Sequence, residues 1–509
     1  MSWVLGLNFA TLTIGMATIL LLYYMLKRPK NFPPGPHGLP IIGYVPFMGK
    51  NPAVHLQKIW RKYGSVMSVQ FGREFWVILN DYQVINQALA KQGKKFSGRP
   101  QNFVFDLITE QRGIGFADYG PTWKDFHKFG LMTLRGYGVG KKGVEENIIE
   151  ESHLLIENLT INNSQDLQMK LTLAISNNIS RVVFGSRFDY ENRRLIHMIE
   201  ILRKLKKSNF LFIFFFTIYS SEDCYEANML ALITLAPMLR FIPPFSGVVK
   251  LISSERKIMM GYLQDIIEEH ESTFDEHHLR DFTDAFLKEI KNANNKNSSF
   301  NKLQLVHFIR DLFEAGSSTS SSTMSWAFLC FAHYAEFQEK IAGEISKTLG
   351  ENGIPLMKHR DELPFTCAFI QELMRHRTLV PLGVFHKTNE DAILHGYTIP
   401  KNTTICPNLW AVHHDSQHFE NPEEFRPERF LDRDGKFIQS NYVIPFSVGP
   451  RRCIGEQLAR MQIFLLIAGI VQKLRIVPDP DNPLPSFCDG GSSMLIYEPP
   501  NFEVLFEKR

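Results

Sequence analysis

The sequence predicts a mainly α-helical globular body with a small β-sheet region, preceded by one N-terminal transmembrane helix. Three observations carry that prediction. An apolar run without a charge occupies residues 3–26, long segments repeat apolar residues every three or four positions, and short alternating runs cluster before residue 80 and after residue 380.

The apolar run, Trp3 to Leu26, is long enough for a helix across a hydrocarbon core of about 30 Å. It stops at Lys27, Arg28 and Lys30. A cleaved signal peptide would carry its charge ahead of the run and end in small residues, so residues 1–28 read as a retained anchor. The basic cluster on its far side directs the rest of the chain to the cytosol. Pro33, Pro34 and Pro36 then fix φ and deny helix, which makes 29–45 an extended linker. The body is 46–509.

Within the body, 144–160, 165–183, 248–271, 302–331 and 456–474 have helical periodicity. VMSVQFG and FWVILN (66–80) read as strands. KNANNKNSS (291–299) reads as an exposed loop. With 509 residues and 44% apolar content, the chain can bury a large core and is too apolar for disorder. A net charge of +3 gives no bulk electrostatic case for nucleic acid. The cysteines, Cys224, Cys330, Cys367, Cys406, Cys453 and Cys488, lack the CxxC or close His/Cys spacing of zinc sites and read as reduced thiols.

PFSVGPRRCIG (445–455) concentrates the chemistry. A thiolate that ligates iron needs a fixed direction, backbone N–H donors around sulfur, and close approach of the chain to a flat macrocycle. Gly449 permits a sharp turn, and Gly455 leaves no side chain between chain and macrocycle. A helix starting near Glu456 would turn its positive end toward Cys453 and favour the ionised sulfur. Arg451 can reach a carboxylate at the macrocycle edge. The alternative is a glycine turn around an inert, buried thiol.

Counted from Phe446, the loop matches FxxGxRxCxG at every specified position and resembles the haem-binding loop of cytochrome P-450 monooxygenases. The resemblance implies the mainly helical fold of that family and haem b held by Cys453. In AFIQELMRHR, Glu372 and Arg375 resemble the family's ExxR pair, and Arg429 in FRPERF (425–430) resembles its third member. On a surface such an i, i+3 pair is worth only about 0.2–0.5 kcal/mol. In this order the three resemble the buried network that holds the haem loop. PPGP, FSGRP (96–100), VVFGSRFDY (182–190), RDFTDAFL (280–287) and PLGVFHKT (381–388) resemble family-2 microsomal enzymes, which implies the endoplasmic reticulum membrane with the catalytic part in the cytosol.

The resemblance further implies that Arg99, Trp123, His386 and Arg451 hold the haem propionates. His127 stands where the family has the arginine of a WxxxR pattern. Imidazole lacks the permanent charge and forked donors of guanidinium, so haem retention is expected to be weaker or pH dependent.

DLFEAGSSTSSST (311–323) resembles the helix that crosses the distal face of the haem, where the family commonly reads AGxET or AGxDT. Ala315, Gly316 and Thr319 match. A Thr319 hydroxyl bonded to the Ala315 carbonyl would bend the helix and open a groove beside Gly316 for dioxygen and a water. Ser318 replaces the family's acid. It can pass a proton but cannot titrate near neutrality, so proton delivery is expected to be slow or to rest on Thr319 and water. Glu314, on another face, reads as a substrate contact, an internal ion-pair partner or a replacement donor, the first two being favoured.

Electrons need a source. The chain has no GxGxxG fingerprint after a strand and no ferredoxin cysteine spacing, so a separate NADPH–cytochrome reductase is expected, with cytochrome b5 as an optional second donor. Lys124, Lys128, Arg135, Lys141, Lys142 and Arg452 are candidate docking charges. NFLFIFFFTIY (209–219) and MLALITLAPMLRFIPPF (229–245) favour a lipophilic substrate entering from membrane lipid. Phe103, Phe105, Leu211, Phe215, Glu314, Ala315, Val384 and the 491–495 loop are candidate contacts for a steroid, fatty acid, terpenoid or xenobiotic. The expected reaction is hydroxylation or epoxidation with one atom of O2. The enzymatic alternative, motivated by Ser318, is a haem-thiolate isomerase or dehydratase acting on a lipid hydroperoxide. A haem sensor or carrier has no positive feature in its favour.

Overall fold

A computed structural model of the chain describes residues 13–16, 27–40, 42–49, 51–137, 142–161, 166–208, 229, 232–234, 236–292, 299–492 and 496–509. Most of the apolar run 3–26, Leu211, Phe215, Lys141 and residues 493–495 lie outside them. Among the described residues, no helix is long and apolar enough to cross a membrane.

Seven helices position the site: α1 (Pro121–Tyr137), α2 (Lys142–Ile161), α3 (Leu167–Phe184), α4 (Phe245–Ser272), α5 (Lys302–His333), α6 (Pro364–His376) and α7 (Glu456–Lys473). The five periodic segments read from the sequence fall on α2, α3, α4, α5 and α7. Their starts are capped locally. Asn301 accepts from the Gln304 N–H at 3.0 Å to begin α5, and Asp166 accepts from the Met169 N–H at 3.0 Å to begin α3, so each side chain satisfies an otherwise orphaned donor.

The main sheet has four strands, β1 (Val66–Phe71), β2 (Glu74–Leu79), β3 (His386–Lys387) and β4 (Thr404–Pro407), in the order β1-β2-β4-β3. β1 and β2 form an antiparallel hairpin with Val66 opposite Leu79, and β2 runs parallel to β4 with Val77 opposite Ile405. The proline-rich segment lies along this sheet: the Ser68 N–H donates to Pro34 O at 2.7 Å and Ser68 Oγ to Pro33 O at 2.6 Å.

α5 crosses the middle of the helical body. Its stretch Met324–Phe331 is buried apart from no more than a few per cent of surface, and it packs on α3, α6 and α7. A Cβ at Gly316 would lie 2.6 Å from Ile179 Cδ1, so the glycine lets α3 approach α5 closely. Ile179 and Gly316 both line a cavity beside Thr319.

Candidate active site

The 445–455 loop is a closed turn. The Cys453 N–H donates to Phe446 O at 3.1 Å, and the Arg452 N–H donates to Gly449 O at 3.1 Å. Gly449 has φ +82°, and a Cβ there would lie 1.8 Å from Leu89 O, so only glycine fits. Gly455 is the N-cap of α7, and a Cβ built on it meets nothing within 4 Å except Cys453 Sγ at 3.9 Å. The space beside the sulfur therefore stays open toward a cavity whose wall includes Ala315, Gly316 and Thr319 on one side and Phe446, Cys453 and Leu458 on the other.

Burial pushes the Cys453 thiol above its ordinary pKa, although the Gly455 N–H and Arg452 pull it down. Desolvation opposes the helix end in the metal-free thiol, and a coordinated metal cation is what deprotonates such a group.

Two buried guanidinium groups face the same cavity. Arg99 donates from Nε to Gly115 O at 2.9 Å and from Nη1 to Phe385 O at 2.6 Å. Arg451 donates to Ser97 O at 2.8 Å and to Ala117 O at 2.7 Å, over the face of Trp123 at 4.0 Å. Burial lowers Arg99 to about 10, and burial together with Arg99 lowers Arg451 to about 8. Asp118, the carboxylate that opposes both shifts, is committed to Lys387 Nζ at 2.9 Å. Two desolvated cations without a carboxylate of their own suit a ligand with two carboxylates, and a sulfur with an open approach suits iron. These donors fit haem.

The other expected propionate contacts differ from expectation. Trp123 Nε1 gives its one proton to Ile114 O at 3.0 Å, so the indole offers Arg451 a ring face rather than a propionate a donor. His386 Nδ1 bonds Phe96 O at 2.7 Å, and burial together with Arg99 holds the ring far below its usual pKa. A neutral ring protonated at Nδ1 presents a lone pair at Nε2, so it must become cationic to donate there. His127 stacks on Trp123 at 4.6 Å, and burial, then Arg451, lower its pKa.

The structure brings Glu372, Arg375 and Arg429 together. Glu372 and Arg375 are fully buried on α6 and paired through two bonds, of 2.7 and 2.8 Å, while Arg429 Nε donates to Glu372 Oε1 at 3.1 Å. Arg375 Nη1 also donates to His413 O at 2.8 Å. His413, which sequence reasoning missed, extends this network: Nδ1 bonds Thr378 Oγ1 at 2.7 Å and Nε2 accepts the Ile444 N–H at 2.8 Å, just before the cysteine loop. No local motif marks it.

On the opposite wall, Thr319 Oγ1 donates to Ala315 O at 2.6 Å, as expected. Ser318 is off the cavity wall, its hydroxyl bonded to Glu314 O at 2.9 Å, because residues one position apart point about 100° apart around a helix. A carboxylate that the sequence did not suggest, Glu498, accepts from Ser322 Oγ at 2.6 Å.

Val384 lines the cavity, whereas Phe103, Phe105 and Glu314 do not. Phe103 lies under Arg240, Phe105 stacks on Phe116 at 5.0 Å, and Glu314 acts electrostatically on Arg310, in keeping with its reading as an internal ion-pair partner.

A family model described as cytochrome P-450 matches residues 33–506. The chain is 33% identical to cytochrome P-450 2U1 of Homo sapiens over 512 residues, covering 95% of this chain and 90% of that protein. It is 35% identical to cytochrome P-450 2J3 of Rattus norvegicus over 480 residues (93% and 91%) and 33% identical to cytochrome P-450 2C3 of Oryctolagus cuniculus over 499 residues (97% and 97%).

Proposed function

The chain belongs to the cytochrome P-450 family, whose members are haem-thiolate monooxygenases, and on that premise we propose that Cys453 holds the iron of an enzyme oxidising a lipophilic small molecule. The observation that carries this reading is the convergence of Cys453, Thr319 and the Arg99–Arg451 pair on one cavity. When bound, haem supplies the reductive activation of O2: two electrons and two protons send one oxygen atom into a C–H or C=C bond and release the other as water.

Arg99 and Arg451 hold the two propionates, and Gly455 keeps the macrocycle face clear of side chains. Thr319 gives its proton to Ala315 O and turns lone pairs toward the cavity, where they can accept from a water and hold it in place. The buried network of Glu372, Arg375, Arg429 and His413 holds the loop that aims the sulfur.

Electrons come from a separate NADPH–cytochrome reductase, with cytochrome b5 as a second donor. Lys124, Lys128 and Arg135 are exposed at i, i+4 and i+11 on α1, which gives one basic face for docking. Arg452 contributes less, because Glu456 lies 2.5 Å from it. Residues 1–28 anchor the chain in the endoplasmic reticulum membrane, 29–45 link it to the catalytic domain, and exposed Met238, Phe241 and Ile242 add a second lipid contact.

A second reading, isomerisation or dehydration of a lipid hydroperoxide, is favoured by Ser318, a serine where the family commonly carries an acid and whose hydroxyl is tied to Glu314 O. The deciding experiment reconstitutes the full chain with reductase and lipid. NADPH-dependent dioxygen uptake supports the monooxygenase, whereas anaerobic hydroperoxide loss without dioxygen uptake supports the isomerase.

His127 carries a further prediction. An anion beside a neutral imidazole raises its pKa, so haem binding takes up a proton and retention weakens as pH rises through the pKa of the haem-bound ring. His127→Arg should slow haem transfer to apomyoglobin and flatten its pH dependence; an unchanged profile would remove His127 from the haem edge.

A further inference from the structure

Five arginines are buried among the described residues: Arg99, Arg310, Arg375, Arg377 and Arg451. Four of them meet oxygen. Arg99 and Arg451 donate to backbone carbonyls, Arg375 to Glu372 and to carbonyls, and Arg310 to Asp311 and to Ile108 O. Arg377 is different.

Arg377 is 5% exposed and forms part of the cavity wall, together with Thr323, Leu379 and Val380. Its guanidinium lies over the ring of Phe487 at 4.2 Å and near that of Trp326 at 5.2 Å. Nη2 reaches Cys488 Sγ at 3.6 Å, a weak acceptor, and buried Nε has no partner. Among the described residues, no carboxylate or carbonyl oxygen bonds this side chain.

A buried charge is normally paired, because desolvation is costly without a counter-charge. Aromatic faces lower that cost while leaving the in-plane N–H donors unused, and a planar guanidinium binds a carboxylate through two parallel bonds. Resting on the monooxygenase reading, we propose that Arg377 recognises the carboxylate of a lipophilic acid substrate. The acid group pairs with Arg377, while the alkyl part lies along Leu379, Val380, Val384 and Ile179 toward Thr319. A neutral sterol or hydrocarbon would leave the cation unmatched.

The test uses full-length holoprotein in lipid nanodiscs and equilibrium dialysis of dodecanoic acid, its methyl ester and 1-dodecanol, a readout independent of turnover. Wild type should bind the acid about tenfold or more tighter than either neutral probe. Arg377→Gln should bring the ratio close to one with alcohol binding unchanged, and Arg377→Lys should restore most of the preference. Equal binding of acid and ester by wild type overturns the proposal even if the Gln variant fails to fold, as does an acid preference that survives in Arg377→Gln. If acid preference is present but NADPH-dependent dioxygen uptake is absent, the site stands and the monooxygenase reading falls.

Discussion

Cys453→Ala abolishes the thiolate-type absorption of the reduced carbonyl complex and all NADPH-dependent dioxygen uptake. The effect is large because the cysteine loop directs its sulfur at the cavity, and an alanine methyl cannot coordinate iron. Folding should be nearly unaffected: Sγ opens on the cavity, and the Cys453 N–H bond to Phe446 O does not need a side chain. Circular dichroism and the urea midpoint should therefore match wild type while the spectrum is lost. A variant that keeps a normal thiolate spectrum would move the ligand to another sulfur. Cys330, Cys367 and Cys406 are poor candidates, since all three are buried and none lines the cavity.

Glu372→Gln should have the second largest effect. The amide is isosteric, so no cavity forms, but Arg375 and Arg429 then share a buried site without the carboxylate that balances them. Removing one partner of a buried pair costs about 3–5 kcal/mol, because the remaining charge stays desolvated. The Arg375 bonds to His413 O and Pro422 O, both 2.8 Å, compensate little, since carbonyls carry no net charge. Urea unfolding monitored by tryptophan fluorescence, with haem content measured alongside, checks this. A loss below about 1 kcal/mol would mean that the site behaves like a solvated surface pair. Haem content should fall with stability, because His413 joins this network to Ile444 ahead of the cysteine loop.

Much of the fold was legible because helical periodicity is local. The segments 302–331 and 456–474 fall on α5 and α7 since each carries apolar residues at intervals that close one or more faces within a few turns. The cysteine loop was legible for a similar reason: its turn, its glycine at φ +82° and its helix start lie within eleven consecutive residues. The Glu372–Arg375 pair needed only i, i+3 spacing.

What failed involved distance along the chain. That Ile179 from another helix sits against Gly316 was not legible. Trp123 was read as a propionate donor, but the carbonyl of Ile114 takes its proton. Glu498 meets Ser322 only because the C-terminal segment folds back on α5.

The sequence by itself determined the mainly helical class, the family and the sulfur loop, because these rest on periodicity and spacing within short windows. The tertiary structure alone decided which polar groups are already satisfied and which buried cation, Arg377, meets no oxygen. Hydrogen-bond partnership and desolvation depend on atoms that distant segments bring within a few ångströms, and no spacing within one segment encodes that.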